Sequence, residues 1–536
     1  MTSRRSFYKN KSVLVVDDSD QIRSYFKSML LLIGFDDVTL ARDAEMALAS
    51  CRRIPFDFIL CDFHLGTGRD GYQLFEVLRN ERLLKAENCF LVVSAERQRQ
   101  AVYGIIEYQP DDYLLKPFNY AELERRITRA YHIKQALKVA YQAIHLREFS
   151  DAVLACDHVV DHRSKYAMHA TRLKAELLVK LERFDEAEHL YHWALTVRDF
   201  AWARLGLAVT FGYQGRGDEA EALLQELSGQ AETRVEALDW LTRLYISQQK
   251  PAAALAAVEQ VAKTSPRNYL RQHVLATLAV IENRKDLSVQ VHQKLLNAAR
   301  HSMYDTADNM LNFARALIEQ AKDQEPKARK ETMLRLDSFL STIKKRFHPA
   351  SYEHDRLIVD ARIAMLEGKT KEALRLLEHS EQLSLEKHLS PAAMLDRARA
   401  YFEAGNLAMC DHYMAALSAL TQDDNLYCSA IGLMMQHEQK KHQELRQQLM
   451  ERNAAGMQAY GSGDFSMAID YFRTALESMP ANVNIALNLL QALSMREVLN
   501  SDLKALAKHC VGLIDDGQLP ADQHKRYQVL LGHLDL

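Results

Sequence analysis

The chain has 536 residues, too many for one ordinary hydrophobic core, so two or more domains are expected. Its 48% hydrophobic and 26% charged residues are those of a globular chain rather than a disordered one, and with a formal net charge of −3 nothing argues for a general affinity for nucleic acid or a membrane surface. Seven cysteines without a C-x-x-C pair point to reduced thiols in a cytoplasmic protein, MTSRRSFYKN carries no apolar run of a signal peptide, and no segment approaches the roughly 20 apolar residues of a membrane span.

The first 130 residues or so alternate in type. SVLVV (12–16) is a short β-branched strand, followed by a helix from Gln21 to Ile33 that Gly34 ends. DVTLA (37–41) and a helix over 44–52 come next, then the strand DFILC (57–61) and a helix from about Tyr72 to Asn80. CFLVVS (89–94), a helix over 98–107 and DYLL (112–115) complete the pattern, and Asn119 is placed to cap a further helix, with Glu122 three residues on. Five strands each followed by a helix predict a doubly wound parallel α/β sheet, with ligands at the carboxyl ends of its strands.

After Asn119 no strand pattern recurs, and from Phe118 through Leu205 there is neither glycine nor proline. Leu123, Ile127, Ala130, Leu137, Tyr141 and Ile144 form one apolar stripe interrupted by Lys134, which predicts that the last helix of the sheet domain runs into, or docks rigidly on, the helices that follow. The helical sequence repeats. NAAGMQAYGSGDFSMAIDYFRTALESMP (453–480) places Gly456, Ala468, Phe472, Ala475 and Pro480 at the spacing of a helix–turn–helix unit of about 34 residues. The small slot held by Ala468 is filled by Ala152, Ala187, Ala220 and Ala254, at steps of 35, 33 and 34 residues, and later by Ala373 and Cys410. This periodicity resembles the tetratricopeptide repeat (TPR) family over roughly residues 135–536, although the Trp and Tyr positions of that family are mostly missing. The resemblance implies an all-α superhelical solenoid with a concave groove for a protein partner. The implied division is a sheet domain over 10–133, repeats over 134–300, degenerate or longer helical repeats over 301–360, and repeats with C-terminal capping helices over 361–536. His158 and His162 lie four apart on a helix without a third ligand, which favours a solvated helix end over a metal site.

The chemistry gathers at the strand ends. Asp17 and Asp18 follow VLVV, Asp62 follows FILC, Ser94 follows FLVV and Lys116 follows DYLL. Three carboxylates at one sheet edge repel one another and call for a hard cation such as Mg²⁺, while a hydroxyl and an ammonium opposite them suit the oxygens of a phosphoryl group. The edge therefore reads as a place where an aspartate accepts phosphate.

Residues 12–132 resemble the receiver domain of bacterial two-component response regulators, a flavodoxin-like (βα)5 fold. The resemblance implies that Asp62 is the phosphoacceptor. It implies Mg²⁺ held by Asp18, Asp62 and the backbone carbonyl of His64, with Asp17 acting mainly through water. Ser94 and Lys116 would bind the phosphoryl oxygens, Tyr113 would be the switch aromatic, and the Lys116–Pro117 bond would be cis. Gly66 stands where the family often has proline, His64 and Glu96 hold variable positions, and EYQP (107–110) replaces a small pair.

The implied protein is a response regulator phosphorylated by a sensor histidine kinase or phosphotransfer protein. It would act through protein contacts of its repeats, with no DNA-binding output, no membrane insertion, and room for a homodimer. It would not be an enzyme beyond its own phosphorylation and dephosphorylation. The alternative is a phosphate sink that diverts phosphoryl flow from another regulator.

Overall fold

The computed structural model describes residues 8–95, 110–162, 164–384, 389–421, 425–479, 482–496, 498–514 and 519–534. The chain forms two compact units, Met1–Leu275 with Asn297–Asp305, and Ala276–Leu296 with Thr306–Leu536.

The first unit opens with five parallel strands, β1 (Ser12–Val16), β2 (Asp37–Ala41), β3 (Phe58–Asp62), β4 (Cys89–Ser94) and β5 (Asp112–Leu115), in the order β2-β1-β3-β4-β5. Helices α1 (Asp20–Ile33), α2 (Ala44–Arg53), α3 (Gly71–Asn80) and α4 (Tyr120–Ala136) accompany them. The helix expected over 98–107 lies outside the described residues, as does Glu96. Successive strand side chains alternate between two cores. Val13, Val15, Leu60, Leu91 and Leu114 pack with Phe26, Leu30, Leu123 and Ile127 of α1 and α4. Leu14, Val16, Ile59, Phe90 and Val92 pack with Leu48 of α2 and Leu74 of α3. One strand starts a residue later than its sequence suggests. Asp57 stays outside β3 because its carboxylate accepts from the Ser12 amide (2.9 Å) and the Lys11 ammonium (2.8 Å), and Asp62 becomes the strand's last residue.

Asn119 caps α4, accepting from the Glu122 amide at 2.9 Å. α4 and the next helix, α5 (Lys138–His145), meet at one buried residue, Leu137. Lys134 does not break the stripe toward solvent: its ammonium lies 3.0 Å from Asp111 and over the Tyr141 ring.

Among the described residues every element after α4 is helical, 21 α-helices and one 3₁₀ turn at Pro349–Ser351. The small residues that marked the periodicity, Ala152, Ala187, Ala220, Ala254, Ala373, Cys410 and Ala468, are all fully buried. A Cβ on Gly456 would come within 2.6 Å of the Phe472 ring, so only glycine permits that helix contact. The turns repeat too. Arg147, Glu182, Gly215, Gln249, Asn283, Gly368, Gly405 and Gly463 each take a left-handed conformation between two helices. In each case the next amide donates to the carbonyl five residues before the left-handed residue's successor, as Arg183 does to Leu178 (2.9 Å) and Asp464 to Ala459 (3.0 Å). This is the Schellman closure of a helix. Asn283 extends the series one step beyond the last alanine of the first run and puts Ser288 into the small buried slot. The proline expected to end the 453–480 unit, Pro480, lies outside the described residues.

Residues 301–360 contain two longer helices, Ala307–Lys322 and Pro326–Ile343. A single helix of 36 residues, Leu426–Gly461, was not foreseen. The second unit also buries an ion network. Arg362, with no exposed surface, pairs with Asp396 (2.5 Å), Glu403 (3.1 Å) and Glu319. His158 and His162 stack on each other at an exposed helix end. All seven cysteines are free and buried.

Candidate functional site at the carboxyl edge of the sheet

β1 runs out at Val16, and Ser19 caps α1 two residues after Asp17, accepting from the Ile22 amide (3.4 Å). That tight turn fixes Asp17. Its backbone amide donates to the Ala41 carbonyl (3.2 Å), and its Oδ1 accepts from the Ser19 amide (2.9 Å). Its own carbonyl accepts from Arg23. Asp18, the next residue, is exposed.

Asp62 closes β3. Its Oδ1 accepts from the His64 amide at 3.3 Å, so the loop already hydrogen-bonds the carboxylate. Lys116 follows β5, held by its amide on the Ser94 carbonyl (2.8 Å). Its Nζ lies 2.7 Å from Asp17 Oδ2 and 2.7 Å from Asp62 Oδ2, bridging the two strands' carboxylates. Burial raises the Asp62 carboxyl above the usual aspartate range, with the Asp17 charge adding to it and Lys116 opposing. Burial pulls the Lys116 ammonium down, but its two carboxylate partners outweigh this and leave it raised. The Lys116–Pro117 bond is cis.

Oxygens of Asp17, Asp18 and Asp62 all lie within 4.8 Å of one another, the one cluster of metal-ligating side chains among the described residues. An all-carboxylate set suits a hard divalent cation and no soft one. Gly66, at φ +72°, passes Asp18 Oδ2 so closely that a Cβ there would sit 3.3 Å from it. Ser94 is fully buried at the end of β4, and Tyr113 pairs in register with Val92 while its ring packs against the α2–α3 core.

Gly71 was missed from the sequence. A Cβ on it would fall 2.1 Å from the Asp62 carbonyl oxygen, so α3 can start this close to the carboxyl end of β3 only with glycine there. The signal was present in Asp70–Gly71, an N-cap before a residue without a side chain. Asp70 and Gln73 form a capping box, with Gln73 N to Asp70 Oδ1 at 2.8 Å and Asp70 N to Gln73 Oε1 at 3.1 Å.

Residues 13–128 match the family model described as the response regulator receiver domain. They form a CheY-like receiver domain. Similar curated proteins include the chemotaxis protein CheY-3 of Vibrio cholerae serotype O1, 28% identical over 123 residues (23% of this chain, 93% of the relative), and CheY of Pseudomonas aeruginosa, 29% identical over 119 residues (22% and 94%). Solved structures similar to the receiver include that of the Francisella response regulator 1452 receiver domain, 29% identical, covering 23% of this chain and 98% of that one with a TM-score of 0.21. CheY4 of Vibrio cholerae is 26% identical, covering 22% and 98%, also with a TM-score of 0.21. Among the described residues no helix is long and apolar enough to cross a membrane.

Proposed function

We propose that this chain is a two-component response regulator in which Asp62 accepts a phosphoryl group from a histidine kinase or phosphotransfer protein. The observation that carries this is Lys116 Nζ held 2.7 Å from both Asp17 and Asp62 at the carboxyl edge of a receiver sheet. Asp62 Oδ attacks the phosphorus of the donor, the donor's bond to phosphorus breaks, and an acyl phosphate forms. Lys116, freed from its two carboxylates, pairs with the new phosphoryl oxygens, and Ser94 at the end of β4 takes another. Asp17, Asp18, Asp62 and the His64 carbonyl would hold Mg²⁺, which neutralises charge on the transferring group. Tyr113 is the residue through which β5 responds.

The helices after α4 act as tetratricopeptide-like repeats that bind a protein, with the phosphorylation state setting that affinity. The eight Schellman turns in register and the seven fully buried small residues support this. Acetyl phosphate with Mg²⁺ should add one phosphoryl mass to the wild-type chain and none to Asp62→Asn, read by intact mass spectrometry. Wild type that stays unmodified overturns the proposal. Rapid turnover of the acyl phosphate with partner capture indifferent to it would instead support a phosphate sink.

A further inference from the structure

The N-cap and first two turns of α3 carry Asp70, Gln73 and Glu76 at three-residue spacing, hence toward one side. Within the first compact unit, each of the three is met by a residue of the helical region. Arg267 pairs with Asp70 Oδ2 at 3.2 Å. Gln73 Nε2 donates to the Arg300 carbonyl at 3.3 Å. Glu76 is hydrogen-bonded to Tyr304, whose ring stacks on Tyr269 at 3.9 Å, two residues past Arg267. The Arg267 guanidinium also lies over the ring of Phe63, the residue after Asp62, 4.9 Å from its centroid.

Resting on Asp62 as phosphoacceptor, we propose that this α3 face is the contact through which the state of Asp62 reaches the helical region, with Arg267 as a positioning residue for the phosphoacceptor loop. The path is short. Arg267 holds Asp70, and Asp70 caps α3. Gly71, the first residue of α3, donates to the Phe63 carbonyl at 2.9 Å and lies against the Asp62 carbonyl. A shift of Asp70 therefore moves the backbone of Asp62. Phosphorylation adds a charge of about −1.5 to −2 to this loop, and Arg267, already over Phe63, is a cation of the helical side beside it, so its grip tightens. Linkage makes the effect reciprocal: a chain without Arg267 binds the phosphoryl group's mimic less well by the same factor. The capping box closes without Arg267, so α3 still forms when the arginine is removed.

The test uses the full chain as wild type, Arg267→Ala, Arg267→Lys and Asp70→Asn, with beryllofluoride and Mg²⁺ as the probe. Calorimetric titration should show roughly 3- to 10-fold weaker beryllofluoride binding in R267A and D70N, with partial recovery in R267K. Hydrogen exchange should show that beryllofluoride slows exchange in 265–273 and 299–304 of wild type and leaves these segments of R267A unchanged. Equal affinity in wild type and R267A, or exchange in 299–304 indifferent to the probe in wild type, overturns the coupling and leaves the phosphoacceptor standing. Wild type that binds no beryllofluoride overturns both.

Discussion

At the scale of the residue, Lys116 is the cation that lets two carboxylates share the sheet edge. Asp17 is almost wholly buried, and without a positive charge nearby the pair would repel through a poorly hydrated gap. Lys116→Met should therefore make the receiver depend more on a divalent cation. Differential scanning fluorimetry should show a Mg²⁺-induced rise in Tm larger than the wild-type rise by about 2–4 °C; an equal rise would mean that Lys116 does not balance these carboxylates. Asp17, Asp18, Asp62, Ser94 and Lys116 were legible as residues of one candidate site because each ends a short apolar strand or lies within two residues of its end, and parallel topology carries all such positions to one edge. Gly71 and Arg267 were not. The need for glycine at 71 is visible only once the Asp62 carbonyl is in place, and Arg267 meets Asp70 at a sequence separation of 197.

At the scale of the element, the turns of the helical region repeat more faithfully than its sequence does. Four of the eight left-handed positions are not glycine: Arg147, Glu182, Gln249 and Asn283. Side chains there are strained, since the left-handed region brings Cβ against the following carbonyl. Glu182→Gly at φ +59° should stabilise the chain by about 0.5–1 kcal/mol after the greater entropy of the unfolded glycine is subtracted, measured by urea unfolding. A destabilised variant would show that Glu182 gains more from its surroundings than its backbone costs. This also explains why the periodicity was traced through small buried residues rather than through turns. A buried slot tolerates only Ala, Ser or Cys, whereas the turn accepts a penalty of about 1 kcal/mol and so varies. The 36-residue helix escaped for the opposite reason: its middle, QHEQKKHQELRQQ, is polar, and Glu438 and His442 are buried there beside Arg399 and Phe402 rather than among aliphatic neighbours.

At the scale of the whole molecule, acid should loosen both units. Burial pushes His273 down to about 4, and in the second unit burial likewise pushes His442 down to about 4. Between that value and the ordinary histidine range the unfolded chain binds more protons than the folded one, so stability is complete above about pH 6.5 and declines as the pH falls toward 4. His273 alone should cost about 2 kcal/mol of stability on going from about pH 7 to pH 5, and His273→Leu should remove that part of the slope in urea unfolding. A slope unchanged in the variant would place the acid sensitivity elsewhere. The division into a sheet domain and a helical remainder was readable from the loss of strand pattern after Asn119. The apolar stripe through Leu137 predicts that the last sheet-domain helix docks on the next helices, but that the compact first unit extends through Leu275 was not readable, because Arg267 and Asp70 look in sequence like ordinary surface charges.

The seven buried thiols give this chain an internal set of unfolding reporters. Burial raises Cys51 and Cys410 to about 11 and Cys156 and Cys510 to about 12, so these four offer alkylating reagents almost no thiolate at neutral pH while the protein is folded. Cys51, Cys61 and Cys89 sit in the receiver, Cys156 in an early helical pair, and Cys410, Cys428 and Cys510 in the second unit. Iodoacetamide should thus label each site only as fast as its neighbourhood opens, and peptide mapping after a short pulse would rank the receiver, the first helices and the far helices by how readily each comes apart. Uniform fast labelling in native buffer would contradict the burial described here.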